Sequence, residues 1–463
     1  MIQKINIGKF LLPIFMLINF IIYYFSYDGA VFIEGADATQ YYKPALSFIE
    51  SREFMTEPFA PLTFGPPLYS IFLALPISIF GLEGSSEAII ILQATILFFT
   101  GYVFKLILLS LYSGSSRILF SSLLHALIVL NPNSLITAHL CQSETLFTLL
   151  FSLALLFSVK LLNNFTFRNL IFIGIFAGLS ALTLSVGLYF VIMLPFFLYV
   201  MMKFRGNKNK SMNFKFIIPI LVGIIVISPW YIRNYIKFDK IFYTSNTGIY
   251  LQLQYIQLKN KGSGWSRETG ENHYFEQFEE YSRKANNKKY KFCIDNNRHW
   301  SCNDFHTQLS MRLILNEPIL VHIKTIFDSW ANLFLSGGAS NIRNYLGIEG
   351  KSDIVGFQAN SYQGIESIEN FLKKINLPYL LILIVTMLFS LTTRVIGIFG
   401  LYYLIKNRTW MPYGFFLIGI LLLFTAAYLY LGQSRFRVPL EPILMLFTVF
   451  GIIYLMRKGD NEK

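Results

Sequence analysis

Residues 66–82 read PPLYSIFLALPISIFGL, apolar throughout but short and interrupted by Pro76. A helix needs ~20 apolar residues to cross a bilayer. Whether this stretch spans fixes the side on which everything after it lies, so the neighbouring charges must arbitrate. Basic residues concentrate on the cytoplasmic side of membrane proteins. Lys4 and Lys9, before the first apolar run, are placed inside. If 66–82 does not span, Lys105 and Arg117 also fall inside, followed by Lys160 and Arg168 and by KFRGNKNK (203–210). Lys406, Arg408, Arg457 and Lys458 then fall inside as well. If it did span, all of these later clusters would move outside. The stretch therefore reads as a juxtamembrane helix lying in or dipping into the outer interface.

The rest of the chain supports a membrane protein. Of 463 residues, 54% are hydrophobic and only 14% are charged, against about a quarter charged in soluble domains. Candidate spans are 10–26, 88–111, 117–136, 144–162, 169–184, 186–203, 214–232, 378–405, 411–431 and 437–456. The fold class is an all-α polytopic membrane protein of about ten transmembrane helices, both termini inside. Lysines before the first apolar run, with no small-residue cleavage site after it, indicate a retained span and not a removed signal peptide. The organisation is a membrane domain over 1–233 with a first outer loop at 27–87, a polar extracytoplasmic segment over 234–377, and membrane helices over 378–463. The polar segment reads as a small, mostly helical domain resting on the membrane, with a charged helix at 271–291 and apolar helical spacing from Phe305 to Leu335 broken by Pro318.

The net charge of +13 is the inside excess of a membrane protein, so nucleic acid is not the implied partner. The three cysteines, Cys141, Cys293 and Cys302, form neither a disulfide scaffold nor a zinc motif. Cys293 and Cys302 share a compartment that permits disulfides, and the sequence leaves bridged and free forms open.

FIEGADATQYYKPA (32–45) follows the first span and carries Glu34 and Asp37. An acid there is either a solvated interface residue or a carboxylate base in a membrane-facing cleft, tuned by partial burial. Glu34 shares a helical face with Asp37 if the segment is helical. The pair is also where a divalent cation would bind, but two acids lack the third ligand a metal site uses, and no metal site is assigned. Glu144 opens a span, where it favours the helix dipole or faces a cleft. His125 and His139 read as hydrogen-bonded packing residues. No Gly-rich phosphate loop is present, so no sugar-nucleotide site is implied.

Five stretches together resemble the GT-C superfamily of polyprenyl-phosphate-sugar-dependent glycosyltransferases, which includes protein O-mannosyltransferases and lipid A aminoarabinose transferases. GADATQYYKPA (35–45) resembles the start of their first outer loop. FGPPLYSIFLALPISIFGLEGSSEA (64–88) resembles their juxtamembrane helix. NPNSLITAHLCQSETLFTLLFSLAL (131–155) resembles their Asn/Ser-Pro turn and the Glu that opens a span. SPWYIRNYIKFDKIFYTSNTG (228–248) and SRFRVPLEPILMLF (434–447) resemble their entry to the outer segment and their last span. The resemblance covers most of the chain except about 250–375.

It implies that Asp37 is the catalytic aspartate, with Tyr41 or Tyr42 beside the substrate, and that Pro66, Pro67 and Tyr69 start the helix flooring the cleft. It implies a polyprenyl-phosphate-sugar donor, and inverting transfer to an acceptor hydroxyl on a glycan, lipid or protein. Glu34 and Glu144 join as substrate-binding candidates. Many relatives carry Lys before the Pro-Pro pair; here the position is Gly65. A cation facing the leaving phosphate must then come from elsewhere, and an Arg fork suits it. Arg233, Arg435 and Arg437 are the candidates, the latter two ranked first. A lipid-linked polysaccharide polymerase or ligase is the alternative. A transporter predicts paired charges within the spans and inverted repeats, and the sequence points to neither. The polar segment has no Asn-x-Ser/Thr site and the composition is rich in Ile, Phe, Lys and Asn; both fit a bacterial inner membrane with the active site on the outer side.

Overall fold

The structure is a computed structural model that describes residues 7–26, 38–57, 60–204, 214–284, 291–293, 299–348 and 375–461. Six helices among them are long and apolar enough to cross a membrane, seven if the bent pair Arg117–Val129 and Pro132–Ala138 is one span. Phe10–Tyr24, Phe167–Thr183 and Met411–Ala427 are apolar but shorter. Leu68–Phe80 has 13 residues, about 20 Å of helix against ~30 Å of hydrocarbon, the shortest of these apolar helices. The all-α reading fits; beside the helices, Met55–Glu57 pairs antiparallel with Ala60–Pro61. Strands this short carry no period for a sequence to show.

Local chemistry explains the breaks. The bent pair turns by 55° at Asn131–Pro132. Pro132 removes a backbone donor, and Asn131 Oδ1 caps the next helix by accepting from the N–H groups of Asn133 and Ser134. Glu317–Pro318 separates Asn303–Leu315 from Ile319–Leu335, because the residue before a proline avoids helical geometry.

The bundle core is aromatic where helices converge. Phe190 packs 4.7 Å from Phe151 and 4.9 Å from Phe424, ring centre to ring centre. The closest crossing joins Leu377–Lys406 to the last helix, Glu441–Asn461. A Cβ on Gly400 would strike the Phe447 carbonyl, and one on Gly451 the Ile396 carbonyl. Small residues let two backbones touch in this way. Beside them Thr448 Oγ1 donates to the Thr393 carbonyl at 2.9 Å.

Charge inside the bundle is a correction. The sequence reading expected no paired charges among the spans. Arg394, within Leu377–Lys406, donates to Glu441 at 2.7 Å, and Arg437 donates to the other Glu441 oxygen at 2.6 Å. Glu441 escaped notice because it sits at a span's first residue, where an acid ordinarily faces water. Here the turn Ser434–Leu440 covers it completely.

The polar segment folds as a helical unit. Tyr255, Tyr274, Phe278, Phe305 and Leu309 form its core, together with Cys293 and Cys302. These cysteines are bridged (S–S 1.99 Å, Cα–Cα 5.7 Å), which resolves the alternative left open by the sequence. Closing so short a loop constrains the unfolded chain by roughly 2–3 kcal/mol. Cys302→Ser is therefore expected to lower the melting midpoint of the purified protein. Reductant should reproduce the shift in the wild type and add nothing in the variant.

Candidate active site

The helix Thr39–Ser51, within the first loop, brings Tyr41 to the centre of the site. Its hydroxyl is 3.2 Å from Ser143 Oγ, and its ring stands edge-on to Tyr69 at 4.9 Å. Tyr69 is fully buried and donates to Gln93 Oε1 at 2.8 Å. Gln93 Nε2 in turn donates to the carbonyls of Ala138 and Leu140. One hydrogen-bonded chain thus ties the short helix Leu68–Phe80 to Ser86–Leu111 and to the turn before Glu144.

A cavity of about 410 Å³ opens beside Tyr41. Gln40, Tyr41, Gly65 and Pro66 form one wall. Thr183–Val186, Tyr243–Leu251 positions and Tyr428 form the others. None of its described lining residues is charged; hydroxyls, amides and aromatic rings dominate. Tyr428 lies within electrostatic reach of Tyr41, Glu144, Tyr250 and Arg435. Three stretches remote in sequence, at Tyr41, Glu144 and Tyr250, therefore meet around one tyrosine.

A second cavity, about 460 Å³, is lined by some of the same elements. The helix Thr247–Gln257 lines the first cavity with Gln254 and the second with Gln257. The turn after Ala427 does likewise, with Tyr428 on one side and Leu431–Arg435 on the other. Lys261, Arg343 and Arg435 line the second cavity.

The predicted site residues separate into groups. Asp37 and Glu34 lie outside the described residues, as do Arg205, Lys208 and Lys210 of the basic loop; Ala38, the next residue after Asp37, is buried. Tyr41 lines the first cavity, and Tyr69 supports it from behind. Tyr42 is half-buried and packs with the cluster around Tyr69; it does not line the cavity. Glu144 is buried at the first turn of its helix, within electrostatic reach of Tyr69 and Tyr428. Arg435 lies over the Phe436 ring at 4.9 Å and reaches the second cavity. Arg233 and Arg437 are engaged elsewhere. Arg233 donates to the carbonyls of Leu62 (2.8 Å) and Phe54 (3.2 Å) and lies over the Trp230 ring. It holds the small ribbon against the helix Ile217–Phe238. Arg437 is fully buried, with its guanidinium on Glu441 and on the carbonyls of Leu333 and Ser336.

His139 bonds Tyr345 (3.1 Å) and Asn19 (2.9 Å), and His125 bonds the Phe98 carbonyl at 3.1 Å, as packing histidines do. Among the described residues no cluster of His, Cys, Asp or Glu could hold a metal. Tyr250, Tyr428, Lys261 and Arg343 are additions that the sequence did not single out. Tyr428 and Tyr250 resemble many other interfacial tyrosines in this chain. Lys261 and Arg343 fall in the part of the chain where the family resemblance lapses.

No protein-family model matches the chain, and no curated protein matches it in sequence. Its structure is similar to that of the oligosaccharyltransferase of Archaeoglobus fulgidus in the apo form, at 16% identity and TM-score 0.53 over 99% of this chain and 52% of that one. The archaeal oligosaccharyltransferase AglB of the same organism, in complex with an inhibitory peptide and a dolichol-phosphate, gives 15% identity and TM-score 0.51 over 99% and 52%. The form tethered to an acceptor peptide gives 14% and 0.52 over 97% and 50%. The chain spans about half the length of these enzymes. At such identities the likeness is one of fold.

Proposed function

We propose that this chain is an integral membrane glycosyltransferase that moves a sugar from a polyprenyl-phosphate carrier to an acceptor hydroxyl on the extracytoplasmic side. The reading takes ten spans with both termini inside, and it takes 234–377 as the extracytoplasmic unit between membrane parts 1–233 and 378–463. The bridged cysteines favour that side, because disulfides persist in oxidising compartments. A bacterial inner membrane suits the composition.

The observation that carries the proposal is the first cavity. The helix directly after Asp37 presents Gln40 and Tyr41 to it, and Gly65, Pro66 and Tyr428 close it. Hydroxyls, amides and rings without charge suit a sugar, which is recognised by hydrogen bonds and by stacking. Asp37 acts as the base that takes the proton from the acceptor hydroxyl. The hydroxyl oxygen then bonds the anomeric carbon, and the carrier phosphate leaves with the electron pair of the broken C–O bond. Tyr41 and Glu144 orient the reactants, and Tyr69 holds Tyr41 in place. Arg435, close to Tyr428, supplies the cation that the Gly65 position lacks. Arg233 and Arg437 act as structural arginines. The dolichol-phosphate held by the archaeal enzyme of the same fold is in keeping with a lipid-phosphate carrier.

The test is donor turnover by the purified chain in proteoliposomes. A membrane extract of the native host supplies the acceptor. Release of sugar from polyprenyl-phosphate donors, and none from sugar nucleotides, is expected. Consumption of a sugar nucleotide in the absence of lipid carrier would overturn the reading.

A further inference from the structure

The first cavity is walled on one side by a helix that the polar segment holds from behind. Thr247–Gln257 turns Thr247, Tyr250, Leu251 and Gln254 to the cavity. Those positions recur at three- and four-residue steps, so they share one helix face. Gly248 and Tyr255 are buried on the next face. Tyr255 belongs there to the same core as Phe305 and Leu309 of Asn303–Leu315.

Gly248 is where the two helices touch. A Cβ on it would lie 2.6 Å from the Asn303 carbonyl oxygen and 2.6 Å from His306 Cβ, so a larger residue must move a backbone. The Gly248 N–H lies in the first turn of its helix, where amides have no acceptor within the helix. Asn246 stands in the usual capping place, but its side chain caps nothing and accepts from Thr244 Oγ1 at 2.8 Å. The acceptor comes instead from another element: Gly248 N–H donates to Asn303 Oδ1 at 2.8 Å. Asn303 is itself held. Cys302, the residue before it, is bridged to Cys293, and its own carbonyl accepts from Thr307 Oγ1 at 2.7 Å.

The same corner grips the chain on its way into the cavity. Trp300 stacks on Phe242 (5.9 Å between centres, 5° between planes) and packs on Phe238 at 5.0 Å. Lys240 bonds Asp304 at 2.6 Å. Tyr243, next after Phe242, reaches the cavity, and Trp230 Nε1 and Asn234 Nδ2 donate to its carbonyl at 2.9 and 3.2 Å. Residues 300–306 thus hold this wall at both ends, at Phe242 and at Gly248, while none of them lines the cavity.

We propose that Asn303 is a positioning residue for the first cavity: it caps Thr247–Gln257 from another element, and the bridged corner on which it stands sets where Tyr250 and Gln254 lie in the cavity. That the cavity's ligand is the transferred sugar rests on the glycosyltransferase reading; the cap and the corner do not.

Three variants of the full chain in proteoliposomes test this, each with its melting midpoint as the folding control. Asn303→Ala removes the acceptor. Asn303→Asp keeps an acceptor oxygen and adds a negative charge, which suits the first turn of Asn303–Leu315. Phe278→Leu loosens the core of the polar segment, where Phe278 packs on Phe305 at 4.6 Å, and leaves the cap in place. One neutral hydrogen bond contributes roughly threefold to tenfold in an equilibrium constant. The donor KM of Asn303→Ala should rise by about that factor with kcat within about twofold, since misplaced binding groups weaken ground state and transition state alike. Asn303→Asp should restore the wild-type KM. Phe278→Leu should lower the melting midpoint and leave KM unchanged. Amide hydrogen exchange adds a readout that needs no donor: in Asn303→Ala it should quicken over 247–257 and stay unchanged over 217–238.

Wild-type KM and wild-type exchange in Asn303→Ala would overturn the proposal. So would a KM that rises equally in Phe278→Leu at equal loss of stability, because the corner would then act only through folding. Faster exchange over 247–257 in a chain that turns over no sugar donor would sink the glycosyltransferase reading and leave the cap standing.

Discussion

Asp37→Asn is expected to lower sugar transfer by about a hundredfold to ten-thousandfold, the usual contribution of a positioned base, with donor binding nearly unchanged. The side chains are nearly equal in size, so the loss isolates the carboxylate. Asp37 directly precedes the helix whose first turn lines the uncharged cavity. Asp37 stands four residues before Tyr41 in sequence, and consecutive Cα atoms are about 3.8 Å apart, so the chain itself tethers the two within roughly 15 Å. The competing base is Glu144, buried and within electrostatic reach of Tyr428. The two candidates give different results. If Asp37 is the base, Glu144→Gln should cost binding or positioning, visible in KM or in thermal stability, and Glu34→Gln should stay within roughly tenfold of the wild type. If Asp37→Asn transfers at the wild-type rate and Glu144→Gln is inactive yet folded, the base is Glu144 and the first loop only shapes the cleft. Matched membrane levels of each variant are required, since the same readout falls with expression.

The sequence made the lengthwise order of helices legible because apolar runs and their basic flanks are strong local signals. The break at Pro318 was visible for the same reason, since proline acts on its own neighbours, whereas the bend at Asn131–Pro132 falls inside the span read over 117–136. Tyr41 and Tyr69 were found through motifs, not through physics, since nothing local separates them from the other tyrosines of the chain. What stayed hidden was everything set by contacts between distant segments. Arg437 and Arg435 stand two residues apart in one turn, and by sequence they are equivalent candidates for a phosphate. The fold turns Arg437 inward onto Glu441 and the carbonyls of Leu333 and Ser336, while Arg435 lines a cavity. The spacing Ile319, Leu320, Ile323, Phe327 shows an amphipathic helix, but not which face meets the protein. Only the burial of Asp328 and Ser329 reveals that this helix is inverted.

Glu441→Leu is expected to destabilise the protein by roughly 3–5 kcal/mol, the cost of leaving buried cations without their partner. Glu441 is the acceptor for three donors: Arg437 Nε at 2.6 Å, Arg394 Nη2 at 2.7 Å and Asn131 Nδ2 at 3.0 Å. Those donors come from the turn Ser434–Leu440, from Leu377–Lys406 and from the bent pair, so one carboxylate fastens three elements. Glu441→Gln keeps the shape and one acceptor oxygen, and should cost less than the leucine. Replacing all three charges at once, Arg394→Met with Arg437→Met and Glu441→Leu, removes the desolvation of the ions as well as their attraction. For an isolated buried ion cluster that exchange is often neutral or stabilising. Here it should recover only part of the loss, because Arg437 also caps the carbonyls of Leu333 and Ser336. Each orphaned buried acceptor costs about 1–3 kcal/mol. Those carbonyls begin the loop that carries Gly337 and Gly338 into the second cavity. Melting midpoints in detergent should therefore rank wild type above the triple variant, and the triple variant above Glu441→Leu. A triple variant as stable as the wild type would show that the cluster is an ordinary buried ion set, with no part in holding that loop. Lipid-phosphate binding weaker in the triple variant than its stability accounts for would instead tie the loop's position to the charges beneath it.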